Sequence, residues 1–159
     1  MSRVKNNLIS KAFWKSLLFT QNKWHQHGVL VHTLRVVYNV IKAREFRFFT
    51  AALLHDIGKP YAAFKKDEED IKFNEYSFTD HEERSYQIIK NWYFVGSYTK
   101  SIVRYHYLIR DLSKSIKENP KRYERKKKIW DKLSDELKDD LALFLIHDDV
   151  AKGKKRRDT

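Results

Sequence analysis

The residues best equipped for chemistry are histidines and aspartates, and they recur along the chain in order. His32 comes first, then the adjacent pair His55-Asp56, then His81, His106 and the triplet His147-Asp148-Asp149. Successive intervals from His32 to His55, His81 and His106 are 23, 26 and 25 residues, about the length of one helix plus its connection. Neutral imidazole and carboxylate together are ligands for divalent first-row metals and for Mg²⁺ or Mn²⁺. A helical bundle builds such a centre by letting each helix contribute one inward group. The chain has no cysteine, which excludes a thiolate zinc site, a cysteine nucleophile and a disulfide scaffold, and makes a cytoplasmic setting the simplest expectation. A single histidine on a half-apolar helix is more often a packed core residue than a ligand. His55 and Asp56 are harder to dismiss, because they end the apolar run Ala51-Ala52-Leu53-Leu54, where burial is expected. A buried carboxylate beside an imidazole is costly without a cation to compensate it.

The elements that must position these groups read as helices throughout. With 159 residues the chain fits one domain. Four glycines and two prolines are too few for a turn-rich β sandwich or a fold with several glycine loops. Apolar spacing predicts helices over Leu8 to Phe19, Val29 to Ala43, Phe46 to His55, His81 to about Trp92, Tyr98 to Ile109, Tyr123 to Leu133, and from Ser134 or Asp135 through Ala151. Asp80 reads as the N-cap of the helix that opens with His81, and residues 64–79 read as a loop. Trp14, Trp24, Trp92 and Trp130 read as core and edge aromatics rather than stacking platforms. The expected class is all-α: one helical domain over residues 1–151 and a basic, flexible tail over 152–159. No apolar run reaches the ~18 residues of a membrane span, and the first ten residues do not have the pattern of a signal peptide.

Five segments together carry a family resemblance. Ala52-Leu53-Leu54-His55-Asp56-Ile57-Gly58-Lys59-Pro60 resembles the signature of the HD-domain phosphohydrolase superfamily. Val31-His32-Thr33-Leu34 resembles its first histidine motif, Phe78 to Ser85 its third, Val103-Arg104-Tyr105-His106 its fourth, and Leu145 to Ala151 its closing aspartate motif. The third motif is most similar to HD domains that accompany tRNA nucleotidyltransferases. The resemblance implies an all-α bundle around a metal site in its core. It implies that His32, His55, Asp56 and a late aspartate bind one ion, that His81 and His106 complete a second, and that Asp56 bridges them. The late aspartate is Asp148 or Asp149; the family pattern, with a small residue two positions on, favours Asp149, since Ala151 follows it. The implied cofactors are two divalent ions, drawn from Mn, Fe, Mg, Ni or Co.

Such a site suits hydrolysis of a phosphoester, with water activated near neutral pH. Lys59, three residues after Asp56, is expected to meet a phosphate oxygen, and Asp56 and Lys59 together are the expected catalytic pair. Arg84 is a second candidate for phosphate, with ion pairing along its own helix as the alternative. His25 and His27 are weak candidates for substrate contact. His147 is either a partner of the ligand set or a packed residue. Asp80, Glu82 and Glu83 read as cap and surface charges.

Lys+Arg total 33 against 21 Asp+Glu, a formal charge of +12. Six bases fall within Lys121 to Lys128 and five within Lys152 to Arg157. They are either a solvated face and tail or a steering surface for a phosphate-bearing nucleotide or nucleic-acid substrate. The activities this implies are phosphodiesterase (including of 2′,3′-cyclic phosphates) or phosphatase. The alternatives are a deoxynucleotide mono- or triphosphate hydrolase, and a basic nucleic-acid-binding helical module without catalysis.

Overall fold

The computed structural model describes residues 14, 18, 21, 28–66 and 68–153. Most of the helix expected over Leu8 to Phe19 lies outside them, as do Trp24, His25, His27 and the bases after Gly153. Within them the fold is all-α, with a single two-residue strand pair.

Helix α1 (Val29–Lys42) turns Val29, His32, Thr33, Val36 and Val40 inward. It ends in a Schellman motif. Arg44, in the left-handed region at φ 61, donates its N–H to the Ile41 carbonyl, and Glu45 donates to that of Val40. A 3-10 turn (Phe46–Phe48) leads into α2 (Phe49–Leu54), which buries Ala51, Ala52 and Leu54. The expected helix through His55 therefore stops one residue early, and residues 55–58 form a tight turn. Pro60 sits in the first turn of a new helix, α3 (Lys59–Ala62), where its missing N–H costs nothing.

The stretch expected to be a loop contains β1 (Ala63–Phe64), α4 (Glu68–Lys72) and β2 (Ser77–Phe78), with the strands antiparallel. Asp70 Oδ2 closes this excursion by accepting from the Lys66 N–H at 2.9 Å and the Ser77 hydroxyl at 3.1 Å. Helix α5 (His81–Ile89) follows. Asp80 before it has φ 54 and makes no side-chain cap. Helix α6 (Ser97–Tyr105) ends before His106, and α7 (Leu108–Glu118) begins after Tyr107, so the expected Tyr98 to Ile109 helix is two helices with His106 in the turn between them. Asn119 caps α8 (Pro120–Trp130), and Ser134 caps α9 (Asp135–Lys152) by accepting from the Leu137 N–H.

The core gathers Val36, Val40, Phe48, Ala52, Ile89, Ile102, Val103, Leu141 and Phe144. Helix α9 runs against α1, stitched by Arg35 Nε donating to the Ala151 carbonyl and Asn39 Nδ2 to that of His147. Trp92 is buried and Trp14 exposed. Among the described residues no helix is long and apolar enough to cross a membrane.

Candidate metal centre

The turn after α2 is pinned to α5. The Ser85 hydroxyl donates to the His55 carbonyl at 2.6 Å and accepts from the Gly58 N–H at 2.9 Å. Gly58 must be glycine for lack of space: a Cβ there would lie 2.3 Å from Ser85 N and 2.5 Å from His81 O, both backbone atoms. This close approach brings Asp56 to the start of α5, where His81 is. Ser85 closes the third motif, and its place four residues after His81, on the same helix face, is the sequence signal for this clamping role.

Asp56 is the hub. Its Oδ2 lies 3.2 Å from His55 Nε2 and 3.5 Å from His32 Nε2, while its Oδ1 lies 3.4 Å from His81 Nε2. His81 and His106 face each other with Nε2 atoms 3.2 Å apart. Two sets of side chains, His32-His55-Asp56 and Asp56-His81-His106, are therefore close enough to hold an ion each, with Asp56 common to both and every member buried. Phe144 lies beneath, its ring 5.7 Å from that of His55 and 6.3 Å from that of His106.

The polar atoms fit a cation. His55, His81 and His106 each place Nδ1 within 2.8–3.0 Å of a main-chain carbonyl, of Ala52, Phe78 and Val103 respectively. A carbonyl only accepts, so each Nδ1 carries the ring proton and each Nε2 presents a lone pair to the site. The facing lone pairs of His81 and His106 repel unless something positive lies beside them. His55 Nε2 is buried with no hydrogen bond. Protonation does not relieve the histidine pair: burial, then the neighbouring His55 and His81, push His106 down to about 3, and burial lowers His81 as well. Burial opposes charge on Asp56, but His55 and Lys59 hold its carboxyl well below the usual range. Burial also opposes charge on His55, but Asp56 raises it above its ordinary value, so a positive charge is favoured at that edge of the site.

The late aspartate differs from the expectation. Asp148 is buried, with Oδ1 2.8 Å from His32 Nε2 and 3.7 Å from His55 Nε2. Asp149 has a side chain 43% exposed and turns away from the histidines to pair with Arg110 and Lys152. The reason is helical rotation: α9 buries Leu141, Phe144, Asp148 and Ala151, a rhythm of three and four that skips 149.

Lys59 is buried rather than solvated. Its Nζ lies 2.6 Å from Asp56 Oδ2 and also bonds Gln21 Oε1. Arg84, expected as a phosphate contact or a surface ion pair, is exposed on α5 and does not line the cleft described next. His147 packs edge-on against Phe48, with ring centroids 6.3 Å apart. Glu82 is buried, not a surface charge, and pairs with Lys126 at 3.4 Å. Asp80 pairs with Arg122 at 2.8 Å, and Glu83 with Arg104 at 3.0 Å.

An open cleft of ≈ 1020 Å³ reaches Asp56, His81, His106 and Asp148 at its floor, and Lys59, Lys66, Arg110, Lys114, Arg122 and Lys152 supply its cations. Of the basic segment on α8, only Arg122 faces it. Arg122 is held by Asp111 at 2.8 Å, and Lys126 lies 3.0 Å from the same carboxylate.

Residues 29–147 match the family model of the HD domain. No curated protein and no solved structure matched in the corresponding comparisons. With the matched span covering most of the chain and both histidine sets inside it, the chain belongs to the HD-domain superfamily of metal-dependent phosphohydrolases.

Proposed function

We propose that the protein hydrolyses a phosphoester of a nucleotide or nucleic-acid end, as a phosphodiesterase, including of 2′,3′-cyclic phosphates, or as a phosphatase. One observation carries the reading: the Asp56 carboxylate is shared between two buried sets of imidazoles and, with His81 and His106, reaches the floor of a cleft rimmed by cations. In this reading His32, His55, Asp56 and Asp148 hold one divalent ion, and Asp56, His81 and His106 a second. Bound there, such ions polarise a phosphoryl oxygen and make a nucleophile available from water near neutral pH.

The chain's own groups do the rest. The carbonyls of Ala52, Phe78 and Val103 fix the ring tautomers, so no reorientation is needed when the site is filled. The Ser85 clamp holds Asp56 against His81. Lys59 offsets the charge of Asp56 and faces the cleft, where its ammonium is a point charge for a phosphate oxygen. Phe64, Phe78 and Tyr107 give the cleft apolar and aromatic wall to set against a sugar or base. Because Arg122 and Lys126 are already engaged by carboxylates, α8 supports a wall of the cleft better than a track for a long polyanion. A deoxynucleotide mono- or triphosphate fits the same chemistry and is the second arm of the test.

The test is a panel of cyclic, mono- and triphosphate nucleotides, with a generic aryl phosphodiester, assayed on metal-replete protein. Turnover that disappears with a chelator and in His55→Ala is expected. A folded, metal-replete protein that turns over nothing in the panel would overturn the proposal.

A further inference from the structure

Asp149 is not among the groups that surround the histidines, yet it occupies a definite place. Its Oδ1 receives the Arg110 guanidinium from α7 and lies 2.7 Å from Lys152 Nζ at the end of α9. Lys152 Nζ is also 3.0 Å from Asp148 Oδ2, and Asp148 Oδ1 is the oxygen that faces His32. Arg110, Asp148, Asp149, Lys152 and His106 all line the cleft. Arg110 Nε is buried with no hydrogen-bond partner, so one arm of the guanidinium fork is unused. On the same face of α7, Lys114 Nζ donates to the Tyr107 hydroxyl at 3.0 Å.

Two cations from different helices thus converge on one anion at the rim, one carboxylate away from the candidate metal centre. A carboxylate offers two oxygens in a plane. A phosphate offers more acceptor oxygens and greater charge, and a guanidinium fork matches it bidentately. We propose that Arg110 and Lys152 are the pair that binds a phosphate of the substrate, and that Asp149 holds their place as an internal anion until a phosphate displaces it. This rests on the phosphohydrolase reading for the identity of the substrate, but not for the anion site itself. Asp149 makes the site selective: a weakly charged anion does not displace a carboxylate already seated on two cations, whereas a phosphate group does. Because Asp149 is partly exposed on the last turns of α9, its release needs a rotamer change and no movement of the backbone.

The sign of one substitution separates this from the alternatives. A metal ligand replaced by asparagine costs metal, a surface ion pair replaced by asparagine changes little, and an internal competitor replaced by asparagine improves phosphate binding. The experiment is calorimetric titration of inorganic phosphate into the metal-loaded full chain, together with metal content and steady-state kinetics on whichever phosphoester the wild type turns over. Asp149→Asn is expected to keep wild-type metal content and to bind phosphate several-fold more tightly. Arg110→Ala is expected to weaken phosphate roughly tenfold or more, the scale of a lost charge-assisted bond, and to raise KM far more than it lowers kcat. Arg110→Lys, which keeps the charge without the fork, is expected to fall between. Loss of metal in Asp149→Asn, unchanged or weaker phosphate binding in Asp149→Asn, unchanged phosphate affinity in Arg110→Ala, or no phosphate binding by the wild type would overturn the proposal. Phosphate binding that follows the expected pattern in a protein that hydrolyses no phosphoester supports the anion pair and overturns the hydrolytic reading alone.

Discussion

Replacing Gly58 by alanine tests how the centre is assembled. The new Cβ would meet Ser85 N at 2.3 Å, His81 O at 2.5 Å and Arg84 C at 2.8 Å, all main-chain atoms of α5 that no side-chain rotation can clear. Ordinary contact needs roughly 3.5 Å, so the turn and α5 must part by about 1 Å. That movement stretches both Ser85 hydrogen bonds and carries His81 away from Asp56, to which it is now 3.4 Å. Overpacking of this kind costs about 1–3 kcal/mol, and two weakened buried hydrogen bonds add about 1 kcal/mol each. The expected destabilisation is therefore about 3–5 kcal/mol. In whatever fraction still folds, the misplacement of a ligand by about 1 Å is expected to cost on the order of a hundredfold in turnover. Gly96→Ala is the control, because a Cβ there meets nothing within 4 Å and the backbone is extended; its expected cost is below about 1 kcal/mol. The assay is urea denaturation of both variants, with metal content measured on the folded protein. Equal midpoints and equal metal for Gly58→Ala and Gly96→Ala would refute the argument that close backbone approach builds the site.

Asp148→Asn is expected to weaken metal binding by at least about tenfold by metal-buffered titration; unchanged affinity would mean that Asp148 only packs against His32. Arg44→Gly removes a side chain from a left-handed C-cap position at φ 61 and is expected to stabilise the fold by about 0.5–1 kcal/mol, read from the denaturation midpoint. In chelator, stability is expected to fall as pH drops below about 6.5. His106, pushed down to about 3, stays neutral in the folded chain while its unfolded counterpart takes a proton. That group alone removes up to about 1.4 kcal/mol per pH unit through this window; the lowered His32 and His81 add to it and outweigh the raised His55, which opposes it. Urea midpoints that are flat from pH 7 to 5 would contradict it.

The buried histidines and Asp56 were readable in the sequence as a group because they sit where chemistry conflicts with burial. His55 and Asp56 end an apolar run, and His81 opens a helix after a polar stretch. The start of α9 was readable to within one residue, at Ser134 or Asp135, and the structure makes Ser134 the cap. What could not be read depends on rotation or on distant partners. Choosing between Asp148 and Asp149 means fixing the roll of α9 to within the 100° that one residue spans, and that roll is set by its contact with α1 through Arg35 and Asn39. The 141-144-148-151 rhythm was present in the sequence, but the motif's own spacing pointed to the neighbouring residue. The break at His106 leaves no glycine or proline to betray it. The pairing of Lys59 with Asp56 was in reach of the sequence, three residues apart, whereas its bond to Gln21 is made only by the fold. The bases of α8 looked like an open patch because Asp80, Glu82 and Asp111, which engage Arg122 and Lys126, come from two other helices and the residue before one of them.

The most direct test of the central claim is the metal content of the purified protein, measured alongside hydrolysis of a phosphoester. Divalent metal is expected in the wild type, with hydrolysis that a chelator abolishes and added metal restores, and both metal and turnover are expected to be lost in Asp56→Ala, the one residue common to both histidine sets. Turnover that survives rigorous removal of metal, or Asp56→Ala protein that keeps its full complement of metal, would contradict it.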